Sequence, residues 1–188
     1  MSLTRIALLA ALVLPSLGCV AERGDNGVQA ANVIDDHLGV FLVPAEFSPL
    51  AAITERPDYV LPESAITTIG TTAYVVNLSA WLRQYRPGSF EFHAVMLHEQ
   101  AHSKRQLAYG TLGWIAHYVV DTDFMWTEEQ IGWYYELIML RNSGVTINAD
   151  GVATILSHYK NATNSRMVGF VEAKQWVQSV LSGQWKPQ

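Results

Sequence analysis

Two of the chain's six histidines, His98 and His102, stand four residues apart in MLHEQAHSKRQ (96–106), with Glu99 directly after the first. On a helix turning ~100° per residue, positions four apart differ by ~40°, so both imidazoles leave one face, one turn apart. At that spacing two neutral imidazoles can share a tetrahedral ion at ~2.0–2.1 Å each. Glu99 falls ~60° from His102, poorly aimed at the ion but well placed for a water bound to it. It could take that water's proton and pass it to a leaving amine, as base and then acid. The ion would bring the water's pKa to ~7, so a nucleophile is available at neutral pH. The competing explanation is a chance HExxH. Against it, Phe90, Phe92, Val95, Met96, Leu97, Leu107 and Ala108 spread apolar character around the helix, which should therefore be buried. Two histidines and a glutamate inside it are costly unless satisfied, and a metal satisfies all three.

A third protein ligand must be a histidine or a carboxylate, because Cys19 is the only cysteine. A metzincin histidine would fall six residues past His102, where Ala108 stands, with Arg105 in place of the intervening glycine. His117, in WIAHYVV, reads better as a core or rim histidine, and Asp121 and Asp123 flank Thr122 in a loop. The best candidates lie in FMWTEEQIGWYYELIML. Thr127 and Gln130 form a capping-box signature, which predicts a helix starting there with Glu128 and Glu129 in its first turn. That helix is apolar and aromatic, so an acid at its mouth should point at something. Glu129 shares a face with Trp133 and Glu136, and Gly132 would permit close approach of another helix; Glu128, Glu129 and Glu136 all remain open.

These residues need elements to hold them. From 39 onward, GVFLVP, DYVLP and AITTIGTTAYVVNL are short β-branched and aromatic runs punctuated by Pro and Gly, which predict strands, with a hairpin at Gly70. Helices are predicted over 89–109, 112–120, 128–141, 150–160 and 165–182. Gly110, Asn142-Ser143-Gly144 and Gly183 supply the stops. Strands first and helices after give an α+β fold: a small N-terminal β-sheet on a buried active-site helix, then a mainly helical C-terminal half.

His98-Glu99-x-x-His102 followed by Glu129 on a second helix, with a small residue three later, resembles the gluzincin branch of the zinc metallopeptidases. The wider run is similar to small HExxH proteins of bacteria and phages, through Arg105-Gln106, Gly110, Trp114, Asp121, Phe124, Glu128 and Glu129. The resemblance covers about residues 60–141. It implies a zincin-like fold, Zn2+ held by His98, His102 and Glu129, and Glu99 as catalytic base. It also implies that the strand near Thr72–Leu78 borders the cleft and pairs with an extended peptide. The chain departs from the pattern at Gly132, where alanine is commoner, and at Trp133, where thermolysin-like enzymes place an aspartate that orients a histidine. Tyr109, His117, Tyr118, Tyr134 and Tyr135 are the available oxyanion donors, Arg105 is placed to hold a nearby carboxylate, and His93 points away as a structural residue.

Composition sets the outer bounds. With 188 residues, 49% hydrophobic and 15% charged, the chain suits one domain with a proper core. A net charge of −5 argues against non-specific nucleic-acid binding. Residues 1–19 read as a signal peptide: MSLTR, the apolar IALLAALVL, then Ser16-Leu17-Gly18-Cys19, which resembles a bacterial lipobox; ordinary cleavage after Ala21 is the competing reading. Residues 20–35 read as a tether and 36–188 as a single zincin-like domain. The sequence therefore predicts an exported zinc peptidase acting on peptides or proteins, periplasmic or membrane-attached through a lipidated Cys19. The alternative is a catalytically weak or inactive zinc-stabilised binding lipoprotein.

Overall fold

The computed structural model describes residues 34–35, 39–57 and 66–188; the leader, the lipobox and DYVLP lie outside them. The fold is α+β. Five strands, β1 (Ile34–Asp35), β2 (Val40–Leu42), β3 (Ala52–Glu55), β4 (Ile66–Ile69) and β5 (Thr72–Val75), form one sheet in the order β1-β2-β3-β5-β4. The β3–β5 pair is parallel, with Ile53 opposite Ala73, and the other pairs are antiparallel. Ile34 and Asp35, predicted as the end of the tether, instead pair with Phe41 and Val40. The predicted hairpin forms: Gly70 takes a φ of +61° between β4 and β5, a value an L side chain rarely adopts.

The helices are α1 (Leu78–Gln84), α2 (Phe90–Tyr109), α3 (Thr111–Val120), α4 (Thr122–Asn142), α5 (Ala149–His158) and α6 (Phe170–Leu181). The sequence reading missed α1, which follows β5 after two residues and was taken as the end of a strand; Asn77 caps it by accepting from the Ala80 N–H at 2.7 Å. Gly110 (φ +96°) ends α2, and Gly144 and Gly183 follow α4 and α6 with positive φ, at the predicted stops.

Two apolar cores result. One lies between the sheet and the first half of α2, where Phe41, Ile53, Ala73 and Val75 meet Phe92 and Met96. The other is helical and joins Met125, Trp133 and Leu137 of α4 to Leu156, Trp176, Val177 and Val180. α2 belongs to the first core and α4 to the second. The two helices pack on each other at the seam, and there the buried residues turn polar.

Candidate metal centre

Ser89 caps α2 through the Phe92 N–H, and two turns on the helix changes character. His98, Glu99, Gln100, His102, Ser103 and Gln106 are buried, while Leu107 and Tyr109 are about half exposed. A helix that hides its polar residues and shows its apolar ones must give the buried groups partners.

For the two histidines those partners come from α4, which starts earlier than predicted. Asp121 is the N-cap and accepts from the N–H groups of Asp123 and Phe124. Thr127, read as the cap, lies inside the helix with its hydroxyl donating to the Asp123 carbonyl at 2.9 Å. A carboxylate meeting two free N–H groups satisfies more orphan donors than one hydroxyl does, so the earlier start wins. Glu128 and Glu129 are therefore in the second turn, and a first-turn dipole preference does not explain them.

Glu129 faces the histidine pair. His98 Nε2 and His102 Nε2 are 3.0 Å apart, His102 Nε2 lies 3.4 Å from Glu129 Oε1, and His98 Nε2 lies 3.7 Å from Glu129 Oε2. Ligands ~2.0–2.1 Å from a tetrahedral ion stand ~3.4 Å from one another, and the two imidazole nitrogens and the two Glu129 oxygens lie at separations close to that edge. Buried His98, His102 and Glu129 form a group that could hold a metal ion, the one such group among the described residues. Gly132 makes room for it: a Cβ there would sit 2.7 Å from Cδ2 and Nε2 of His98 and 3.1 Å from Nε2 of His102.

The electrostatics are lopsided. Burial works against a charge on His98, but the hydrogen bond to Glu136 and the negative charges of Glu99, Glu129 and Glu136 outweigh it and raise the imidazole to about 9. Glu136 Oε2 lies 2.9 Å from His98 Nδ1. Burial likewise works against a charge on Glu129, yet His102 and His98 with the Tyr118 hydroxyl lower it to about 2. Tyr118 donates to Glu129 Oε1 and stacks on Trp114 at 4.6 Å; burial, then the Glu129 charge, pushes its own pKa well up. His102 Nδ1 is buried with no hydrogen-bond partner, and the His102 ring packs edge-on to both Trp114 and Tyr118.

Glu128 is not in the ligand group: it is fully buried and takes a two-pronged ion pair from Arg105, at 2.5 and 2.6 Å. Arg105 thus holds a carboxylate, as its position suggested. Glu136, the third ligand candidate, is on the far side of the His98 ring, and this is the orienting contact that Trp133 cannot make. Trp133 itself packs edge-on to His98 at 5.6 Å. His117 is exposed, its Nδ1 at 3.2 Å from the Tyr109 hydroxyl. His93 bonds the Ser89 carbonyl and Glu46, a structural role as read. Of the five candidate oxyanion donors Tyr118 is the one that touches the group, while Tyr134 packs against Tyr135 and Trp185.

Three contributors escaped the sequence reading. Tyr159, after α5, is raised well above its usual pKa by burial and by the charges of Glu129, Glu136 and Glu99, so its hydroxyl feels the same centre. Thr68 donates to Glu99 Oε2 at 2.7 Å. Gln106 bonds both Thr68 and Gly70. The strand expected to border the cleft is also corrected: β5 (Thr72–Val75) is interior, flanked by β3 and β4, and Leu78 opens a helix. Among the described residues β4 is one edge of the sheet, and it runs against α2. A short hairpin reads as two similar strands, and only the parallel β3–β5 pairing reveals which is inside. Compared with family models, with curated proteins and with solved structures, the chain finds no match.

Proposed function

We propose that this chain is a zinc-dependent peptidase with a zincin-like arrangement, hydrolysing peptide bonds with His98, His102 and Glu129 as metal ligands and Glu99 as general base. The observation that carries the reading is the convergence of two imidazoles and a carboxylate from two buried helices, with a fourth side chain, Glu99, on the same helix turn as the histidines. Two imidazoles and one carboxylate are a donor set suited to zinc, and leave one coordination position for the reaction. Zinc held there would supply Lewis acidity and an acidified water at neutral pH. Glu99 takes the water's proton and returns it to the departing amine. Glu136 fixes the ring of His98, and Tyr118 fixes the carboxylate of Glu129. In the same reading the leader exports the protein, and Cys19 anchors it to the membrane if lipidated. No helix among the described residues is long and apolar enough to cross a membrane.

A second reading has one observation in its favour: each ligand side chain is less than a tenth exposed, as in a metal site that only stabilises its domain. That gives a zinc-stabilised binding lipoprotein. Metal analysis with a quenched-fluorescence peptide library separates the two. The peptidase reading expects about one equivalent of zinc, lost in His98→Ala, and cleavage lost in Glu99→Gln with zinc retained. Zinc below about a tenth of an equivalent in the wild type overturns both readings, and full zinc without cleavage overturns the first.

A further inference from the structure

We infer that Thr68, on the edge strand β4, is a positioning residue for Glu99, and that Gln106 and Ser103 exist to hold that strand in place; this rests on the peptidase reading above. The Thr68 hydroxyl donates to Glu99 Oε2 at 2.7 Å, and both side chains are almost wholly buried. A hydroxyl on a carboxylate at that distance is a strong, charge-assisted bond. Glutamate has three rotatable bonds, and freezing them costs up to ~2 kcal/mol, so a helix alone would leave this base poorly aimed. With Oε2 committed to Thr68, Oε1 is the oxygen that exchanges the proton.

The bond is useful only if β4 cannot drift from α2, and α2 fixes it with polar side chains one and two turns past Glu99. Gln106 is completely buried; its Nε2 donates to the Thr68 carbonyl and its Oε1 accepts from the Gly70 N–H, both at 2.7 Å. Ser103, also fully buried, donates to the Gly70 carbonyl at 2.6 Å. An amide that reads one carbonyl and one N–H of an extended strand acts as a strand partner does. Two polar residues buried completely to clamp one hairpin are a large commitment, and the hydroxyl next to that clamp meets the carboxylate that does the chemistry.

The test uses the full zinc-loaded chain with Thr68→Val, which keeps the shape and removes the hydroxyl, and Thr68→Ser, which keeps the hydroxyl. On the same peptide library Thr68→Val should lose about 10–100-fold in kcat with little change in KM and full zinc content, and Thr68→Ser should recover to within about three-fold. Independently of turnover, carbon-13 labelling of the glutamate carboxyls reads the contact. The Glu99 resonance, assigned by its loss in Glu99→Gln, should move in Thr68→Val and return in Thr68→Ser. Thr68→Val that keeps the wild-type kcat in an active enzyme overturns this inference and leaves the peptidase reading standing. An inactive wild type overturns that reading and with it the catalytic role of Thr68, while an unmoved resonance refutes the contact itself.

Discussion

Replacing Gly132 by alanine asks directly whether the rings sit where a metal needs them. The added Cβ would be 2.7 Å from Cδ2 and Nε2 of His98, whereas ordinary contact begins at 3.4 Å, so the ring must retreat by about 0.7 Å. Metal–ligand distances tolerate only ~0.2 Å, so the retreat is more than three times what the site can absorb. His98 cannot simply swing aside, because Glu136 holds its Nδ1 and Trp133 packs on its ring. Zinc affinity should fall at least about 100-fold, which is ~2.8 kcal/mol. Stability of the metal-free chain should change less. Alanine is ~1 kcal/mol better than glycine inside a helix, and overpacking costs ~1–3 kcal/mol, so the net loss is at most ~2 kcal/mol. Gly113→Ala is the control, since its Cβ would meet only the Tyr109 ring at 3.4 Å and α3 should gain slightly. Competition against a chelator measures the affinity and urea unfolding the stability. Gly132→Ala that binds zinc within two-fold of wild type refutes the reasoning.

Further consequences can be measured on the same material. Glu136→Ala should weaken zinc binding by about 10–100-fold and Glu136→Gln by less, because the amide oxygen still accepts from Nδ1–H; equal affinities in chelator competition would contradict the role given to Glu136. Arg105→Ala leaves the fully buried Glu128 carboxylate unpaired and should cost ~2–3 kcal/mol in urea unfolding, most of it recovered by adding Glu128→Gln. Zinc requires a neutral imidazole, and His98 is raised to about 9, so binding at pH 7.5 should release about one proton, read by calorimetry in buffers of different ionisation enthalpy. In the metal-free chain the raised His98 stabilises fully below its ordinary value of 6.5, and this is lost as pH rises through about 9. The lowered Glu129 stabilises above 4.5, and this is lost as pH falls towards 2. Metal-free stability should therefore be highest between pH 4.5 and 6.5; a maximum at pH 9 in chemical denaturation would contradict both assignments.

Much of the centre could be read from the chain because it is written in helical spacing. A separation of four residues puts His98 and His102 on one face whatever surrounds them, whereas spacing leaves Glu128, Glu129 and Glu136 open and only the gluzincin resemblance singles out Glu129. The strand-side residues obey no such spacing. Thr68 lies 31 positions from Glu99, and its hydroxyl meets the carboxylate because β4 packs on α2, a tertiary contact that no local pattern carries. Tyr159, which follows α5, is likewise brought to the centre by packing between elements remote in sequence. The start of α4 was misread because two cap signals compete within six residues, and the losing one, Thr127 with Gln130, has the more familiar form.

Trp133 shows why a pattern can be right about a function and wrong about the position that supplies it. Counting from Glu129, position 133 is ~40° round the helix and position 136 is ~20° the other way, so both lie over the His98 ring. The nearer one carries an indole that packs edge-on to the imidazole and reaches into the helical core; the farther one carries the carboxylate that takes Nδ1. Steric support and hydrogen bonding are divided between two residues on one face. The cost falls on His102, whose Nδ1 is buried without an acceptor while its ring packs edge-on to Trp114 and Tyr118. A ligand pair in which one ring is held by a carboxylate and the other only by packing should lose its metal first through His102. His102→Ala and His98→Ala are therefore not equivalent. Removing His98 also strands Glu136 beside the buried site, so His98→Ala should destabilise the metal-free chain more, by ~1–3 kcal/mol in urea unfolding.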